Sequence, residues 1–177
     1  MGSFSSEQIE AAQEFARTTL ETLTTERGVH AETCIAGTAR MAGTFLFRSF
    51  KFTLKDAKPG QPVLSNQANE KGPHLIEVLA GVLENGGVKL DNQKLGNSSI
   101  NEPLLGFLET QKRLEPKYAT IQRRLGLSLQ ESADSAAVAT ALLIQQSAES
   151  LDPNIASSIA VYGFIEGSKT VPEPLLP

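Results

Sequence analysis

Apolar residues recur at helical spacing along most of this chain, and most densely from His30 to Phe50. One set, Ile35, Ala39, Ala42, Leu46 and Phe50, advances by four, three, four and four residues. A second, His30, Cys34, Gly37 and Met41, advances by four, three and four. Both spacings trace sides of an α-helix. Glu32, Arg40 and Arg48 lie along a third side. A helix with so little polar surface has to be enclosed by neighbours, so the pattern predicts a central helix over 30–50.

The same reading places the other elements. Ser5 and Gln8 form a capping box, Phe4 can staple onto Ile9, and Ile9, Ala12, Ala16, Leu20 and Leu23 continue inward. A helix over 6–27 follows, closed by Gly28. Phe50, Phe52 and Leu54 alternate with Lys51 and Thr53, which predicts a short strand over 49–54, paired with Val88-Lys89-Leu90. Asp56 to Gly72 reads as a long loop, and Pro73 as the first residue of a helix that buries Leu75, Leu79, Val82 and Leu83. A polar stretch over 91–101 leads to a helix starting near 101–103, with Leu104, Leu105, Phe107 and Leu108 as its apolar residues. Pro116 has no N–H to donate, so a bend or break is expected there, followed by a short helix over 117–125. Ser128 and Glu131 cap an alanine-rich helix running to about 150, and Asp152-Pro153 opens one more, ending at Gly167, with Ile155, Ile159 and Tyr162 or Ile165 facing inward. From about 168 a proline-rich tail should be extended.

These elements predict an all-α, single-domain helical bundle over 1–177, with about six or seven helices and at most a small two-stranded accessory. A chain of 177 residues, 40% hydrophobic and 20% charged, can bury its own core without disulfides or metals. The net charge of −4 gives no reason to expect a nucleic-acid or anionic-membrane partner. Cys34 is the one cysteine, so no intrachain disulfide forms and a cysteine-rich zinc site is excluded. Charged residues interrupt the apolar stretch over 30–50, so no membrane insertion is expected. The first residues lack a basic region and an apolar run, so no secretory signal is read and a cytoplasmic location is expected.

Candidate chemistry adds little. His30-Ala31-Glu32 matches the His-x-Glu of zinc nucleoside deaminases, but their second element, Pro-Cys-x-x-Cys, has no counterpart in this sequence. His30 with Cys34, and His74 with Glu77, have spacings compatible with a helical metal site. Both histidines sit in first turns, however, and Cys34 lies in an apolar stripe, so no metal or other cofactor is expected. Neither a nucleophile elbow nor a phosphate-binding glycine loop occurs. Lys112, Arg113, Lys117, Arg123 and Arg124 form a basic cluster, but Glu109 and Glu115 interrupt it. It reads as a solvated face.

Arg40, Thr44 and Arg48, spaced four apart, form the one costly feature. Guanidiniums on an enclosed helix require partners. Carboxylates such as Glu10, Glu14 or Glu166 would make them structural; an anion would make them a ligand site, with Thr44 and His30 contributing. Small residues on the central helix and on the helices after 128 point to close helix crossing, within the core or across an oligomer seam. The leading expectation is therefore a non-enzymatic module that self-associates or binds a protein partner. The alternative is a small-molecule or anion-binding protein, enzymatic or not, with a pocket beside 30–50 formed by Arg40, Thr44, Arg48 and His30. A third reading is nucleic-acid binding through 112–124.

Overall fold

The computed structural model describes residues 3–91, 93–94 and 103–175. They form six helices: α1 (Ser6–Leu23), α2 (Ala31–Ser49), α3 (Asn66–Asn85), α4 (Phe107–Leu125), α5 (Leu129–Ser147) and α6 (Pro153–Ser168). The fold is an all-α helical bundle. No helix among the described residues is long and apolar enough to cross a membrane.

The continuous apolarity of α2 has its counterpart in space. All five other helices pack against it, and every residue from Thr33 to Phe47 is buried. The closest neighbour is α6. Gly163 sits against Ala36, Ala39 and Arg40, and Gly167 against Arg40, Gly43 and Thr44, so the two helices advance together and run parallel. Their backbones meet because these positions lack side chains: a Cβ on Gly167 would lie 2.2 Å from the Arg40 carbonyl oxygen. On the opposite side, Phe15 of α1 stacks on Tyr118 of α4 at 4.2 Å, and Phe45 of α2 joins the stack. The Tyr118 hydroxyl lies 2.6 Å from that of Thr19 and donates to the Phe15 carbonyl at 3.1 Å. One aromatic side chain thus fastens three helices.

The capping boxes at Ser5 and Ser128 form as expected, and Asp152 caps α6. Several other expectations are corrected. Helix α1 stops at Leu23 because Thr24 takes an extended conformation; Thr25 and Gly28 then exchange backbone hydrogen bonds in a tight reversal. The described residues form no strand, only isolated bridges at Thr25–Gly28 and Pro62–Thr170. The alternation of Phe50 and Phe52 is not a strand pattern. Lys51 has φ of 52°, and the two rings meet at 5.4 Å in a cluster with Phe47.

Helix α3 begins seven residues before Pro73, where Ser65 accepts the Ala68 N–H. Pro73 lies inside it, as Pro116 lies inside a single, uninterrupted α4. Leu104 and Leu105 precede α4 rather than belonging to it, since Gly106 is its cap. The expected start at 101–102 lies outside the described residues. The tail is extended and attached: Val171 N–H donates to Gln61 O, Val63 N–H to Lys169 O, and Gly60 N–H to Val171 O.

Candidate functional site

Arg40, Thr44 and Arg48 share one line of α2, and each has a distinct environment. Arg40 is 7% exposed. Its Nε donates to Glu166 of α6 at 2.6 Å, and its Nη1 to the Leu105 carbonyl at 2.6 Å and the Thr110 hydroxyl at 3.2 Å. Arg48 grips the Glu115 carboxylate with two N–H groups and donates to the Glu173 carbonyl of the tail at 2.6 Å. Of the three carboxylates named from sequence, Glu166 meets Arg40. Glu10 and Glu14 instead hold Arg124, at 3.1 and 2.5 Å. Glu115 was not among them, because helical spacing tells which face a residue occupies but not which helix lies opposite. Burial pushes the Glu115 carboxyl above its ordinary range, with Arg48 opposing the shift.

Thr44 is fully buried and its hydroxyl has no partner. Several other helical hydroxyls bond back one turn, as Thr38 does to Cys34 O and Thr140 to Ala136 O, while the buried Ser157 hydroxyl of α6 shares the unpartnered state of Thr44. The Gln111 side chain accepts the Glu173 N–H through Oε1, while its buried Nε2 has no partner. Both groups lie between the two arginine contacts: Thr44 is one turn from each arginine, and Gln111 is beside Thr110 and one turn before Glu115. His30 is remote from this cluster. It caps α2, its Nδ1 accepting the Thr33 N–H at 3.3 Å, roughly 15 Å along the axis from Arg40.

The metal geometry does not assemble. His74 faces Asp134 of α5 at 3.3 Å and Glu77 at 3.9 Å. Among the described residues no group of three or more His, Cys, Asp or Glu is placed to hold an ion. The Cys34 thiol is pushed up to about 11 by burial, so it stays protonated near neutral pH and is a poor nucleophile. In the basic cluster, Arg113 pairs with Glu109, Lys117 with Thr22, and Arg124 with Glu10 and Glu14.

Two further surface features carry no sequence motif. The first is the outer face of α6. Tyr162 is 60% exposed and Ile165 45%, with half-buried Ile155 and Val161 beside them. Leu64, 86% exposed, follows Val63, whose N–H bonds to Lys169 O at the end of this helix. The spacing of Ile155, Ile159 and Tyr162 or Ile165 predicts an inward face; Ile159 is buried, but Tyr162 and Ile165 face outward, on a helix that carries no charge before Glu166. The second is a cleft of about 350 Å³ where α1, α2 and α5 meet, lined by Leu20, Val29, Ala31, Cys34, Ile35, Leu143, Gln146, Ser147 and Ser150.

Fold and site together define an all-α bundle whose conspicuous buried charges meet partners within the chain. No known protein family, curated protein or solved structure matches it.

Proposed function

We propose that this protein is a non-catalytic helical module that pairs with a second copy of itself through the outer face of α6. The observation that carries this reading is the exposed pair Tyr162 and Ile165, flanked by half-buried Val161, on a helix that carries no charge before Glu166. A helix of that composition is ordinarily buried all round, and a contiguous exposed apolar surface ordinarily marks an interaction site. The charges bordering the arc are engaged within the chain: Glu166 by Arg40, and Lys169 by Asn69 at 2.9 Å. Two copies of a protein with net charge −4 repel each other in general. They approach at least cost where the facing surface adds no unpaired carboxylate. Two-fold pairing sets the same patch against itself, with Tyr162 as the large anchoring side chain. The small residues serve a different purpose: Gly43, Gly163 and Gly167 are used within the α2–α6 contact.

Sedimentation equilibrium from about 1 µM to about 1 mM covers the range in which modest interfaces dissociate. The expected result is a rise from monomer to dimer mass, abolished in Tyr162→Glu and in Ile165→Glu with helicity unchanged. A monomer throughout that range would overturn the proposal.

A further inference from the structure

We infer that the cleft between α1, α2 and α5 binds a small uncharged molecule with an apolar body and a single hydrogen-bond donor. The inference concerns a different face from α6 and does not rest on the pairing proposed above. Leu20 of α1, Ala31, Cys34 and Ile35 of α2, and Leu143 of α5 form the apolar wall, and Val29 stands at the mouth, 56% exposed. The polar groups lie together on the other side: Gln146 and Ser147 in the last turn of α5, and Ser150 just beyond.

Size, charge and hydrogen-bond direction define the occupant. The cleft, at about 350 Å³, falls in the range of small-molecule sites, which begin near 300 Å³. Not one of the nine lining residues is charged. A charged ligand would lose hydration there without gaining a counter-charge. The Ser147 hydroxyl donates to the carbonyls of Leu143 and Ile144, and that of Ser150 to the carbonyl of Ser147. Their protons are committed, so the two serines present lone pairs that a visitor's O–H or N–H meets, while the Gln146 amide offers both a donor and an acceptor to the same molecule. Cys34, protonated near neutral pH, adds a neutral, polarizable patch of wall. A phenol, an indole or a medium-chain alcohol has this combination of properties.

Indole is the probe, followed by methyl NMR of Leu20, Val29, Ile35 and Leu143. The expected result is saturable shifts at these methyls, with Ile155 and Val161 of α6 unmoved. Indole-3-acetate, which adds a carboxylate to the same ring, should bind at least roughly tenfold more weakly. Ser147→Leu fills the cleft from α5 and Ala31→Leu from α2. Each should weaken indole by a similar factor while leaving the α6 methyl positions and the helicity unchanged; if one variant misfolds, the other serves. Non-saturating shifts, equal response on α6, equal affinity for indole-3-acetate, or undiminished binding in a folded cleft-filling variant would overturn the inference. Since sedimentation reads the α6 face and these methyls read the cleft, failure of one proposal leaves the other standing.

Discussion

Gly167→Ala tests the close approach of α2 and α6 most directly. In an open helical position this substitution stabilises, because alanine is favoured over glycine by about 1 kcal/mol. At Gly167 the added Cβ would lie 2.2 Å from Arg40 O, 2.9 Å from the Gly43 Cα and 2.9 Å from Thr44 N. All three are backbone atoms of an enclosed helix, so no side chain can rotate away. Relief requires the helices to part by about 1 Å, and a gap of that size forfeits a quarter to a half of each dispersion contact along the seam. Overpacking of this kind costs about 1–3 kcal/mol, sometimes more. With three backbone clashes we expect the upper end, and a net loss of about 2 kcal/mol after the propensity gain. Gly37→Ala is the comparison. Gly37 is also helical, but a Cβ there would meet only side-chain ends, Leu23 Cδ1 at 3.1 Å and Leu114 Cδ1 and Thr110 Cγ2 at 3.3 Å, which can shift, so a change of no more than about 1 kcal/mol is expected. Urea melts compared at equal m-value read both changes. For a chain of this size each kcal/mol corresponds to about 2–4 °C in Tm. The close approach would be refuted if Gly167→Ala were as stable as the parent.

Two further outcomes follow from the buried polar groups. Burial raises the Glu115 and Asp134 carboxyls in the folded chain. The native state therefore takes up protons before the unfolded state does, and stability should rise as pH falls from neutral towards the ordinary carboxylate range. The hydrogen-bonded carboxylates at helix starts, Glu7, Glu131 and Asp152, are shifted downward and lose their contribution only at more acidic pH. Thermal melts should show part of the rise missing in Glu115→Gln; a flat profile identical in both proteins contradicts the assignment. Thr44→Val removes a buried hydroxyl that has no partner, so it should be neutral or stabilising by up to about 1 kcal/mol. Thr38→Val removes one that contacts Cys34 O, Thr19 and Tyr118 and should destabilise by about 1 kcal/mol or more. Equal effects in denaturant melts would show that the two hydroxyls do not differ as described.

The parts of the fold legible in the sequence are those written locally. The capping boxes at Ser5 and Ser128, the Asp152-Pro153 start and the all-round apolarity of α2 each depend on residues a few positions apart, and each is present. The two internal prolines misled because local rules omit tertiary contacts. A proline costs an interior helix about 3 kcal/mol. In α3, burial of Leu75, Val78 and Leu79 offsets that cost, and in α4 so does burial of Leu114 and Tyr118, at about 1.5–3 kcal/mol for each large side chain. The candidate site divides in the same way. That Arg40 and Arg48 required partners was legible from their place on an enclosed helix. That Arg48 meets Glu115 was not, because it depends on how α4 crosses α2. The cleft was legible only in pieces, since its wall comes from three helices that are distant in sequence.

The parallel contact of α2 and α6 also bears on how the protein is made. Arg40 and Glu166 are 126 residues apart, and that separation is also an interval of time. At synthesis rates of about 5–20 residues per second, α2 waits roughly 6–25 s for its closest neighbour to emerge. During that interval the side of α2 that carries Ala36, Ala39, Gly43 and the unpaired Arg40 is uncovered, in a nascent chain that already contains α5. Closure of so long a loop comes late. A chaperone or the ribosome surface would meet this protein as an open five-helix intermediate, and release would coincide with the arrival of glycines 163 and 167.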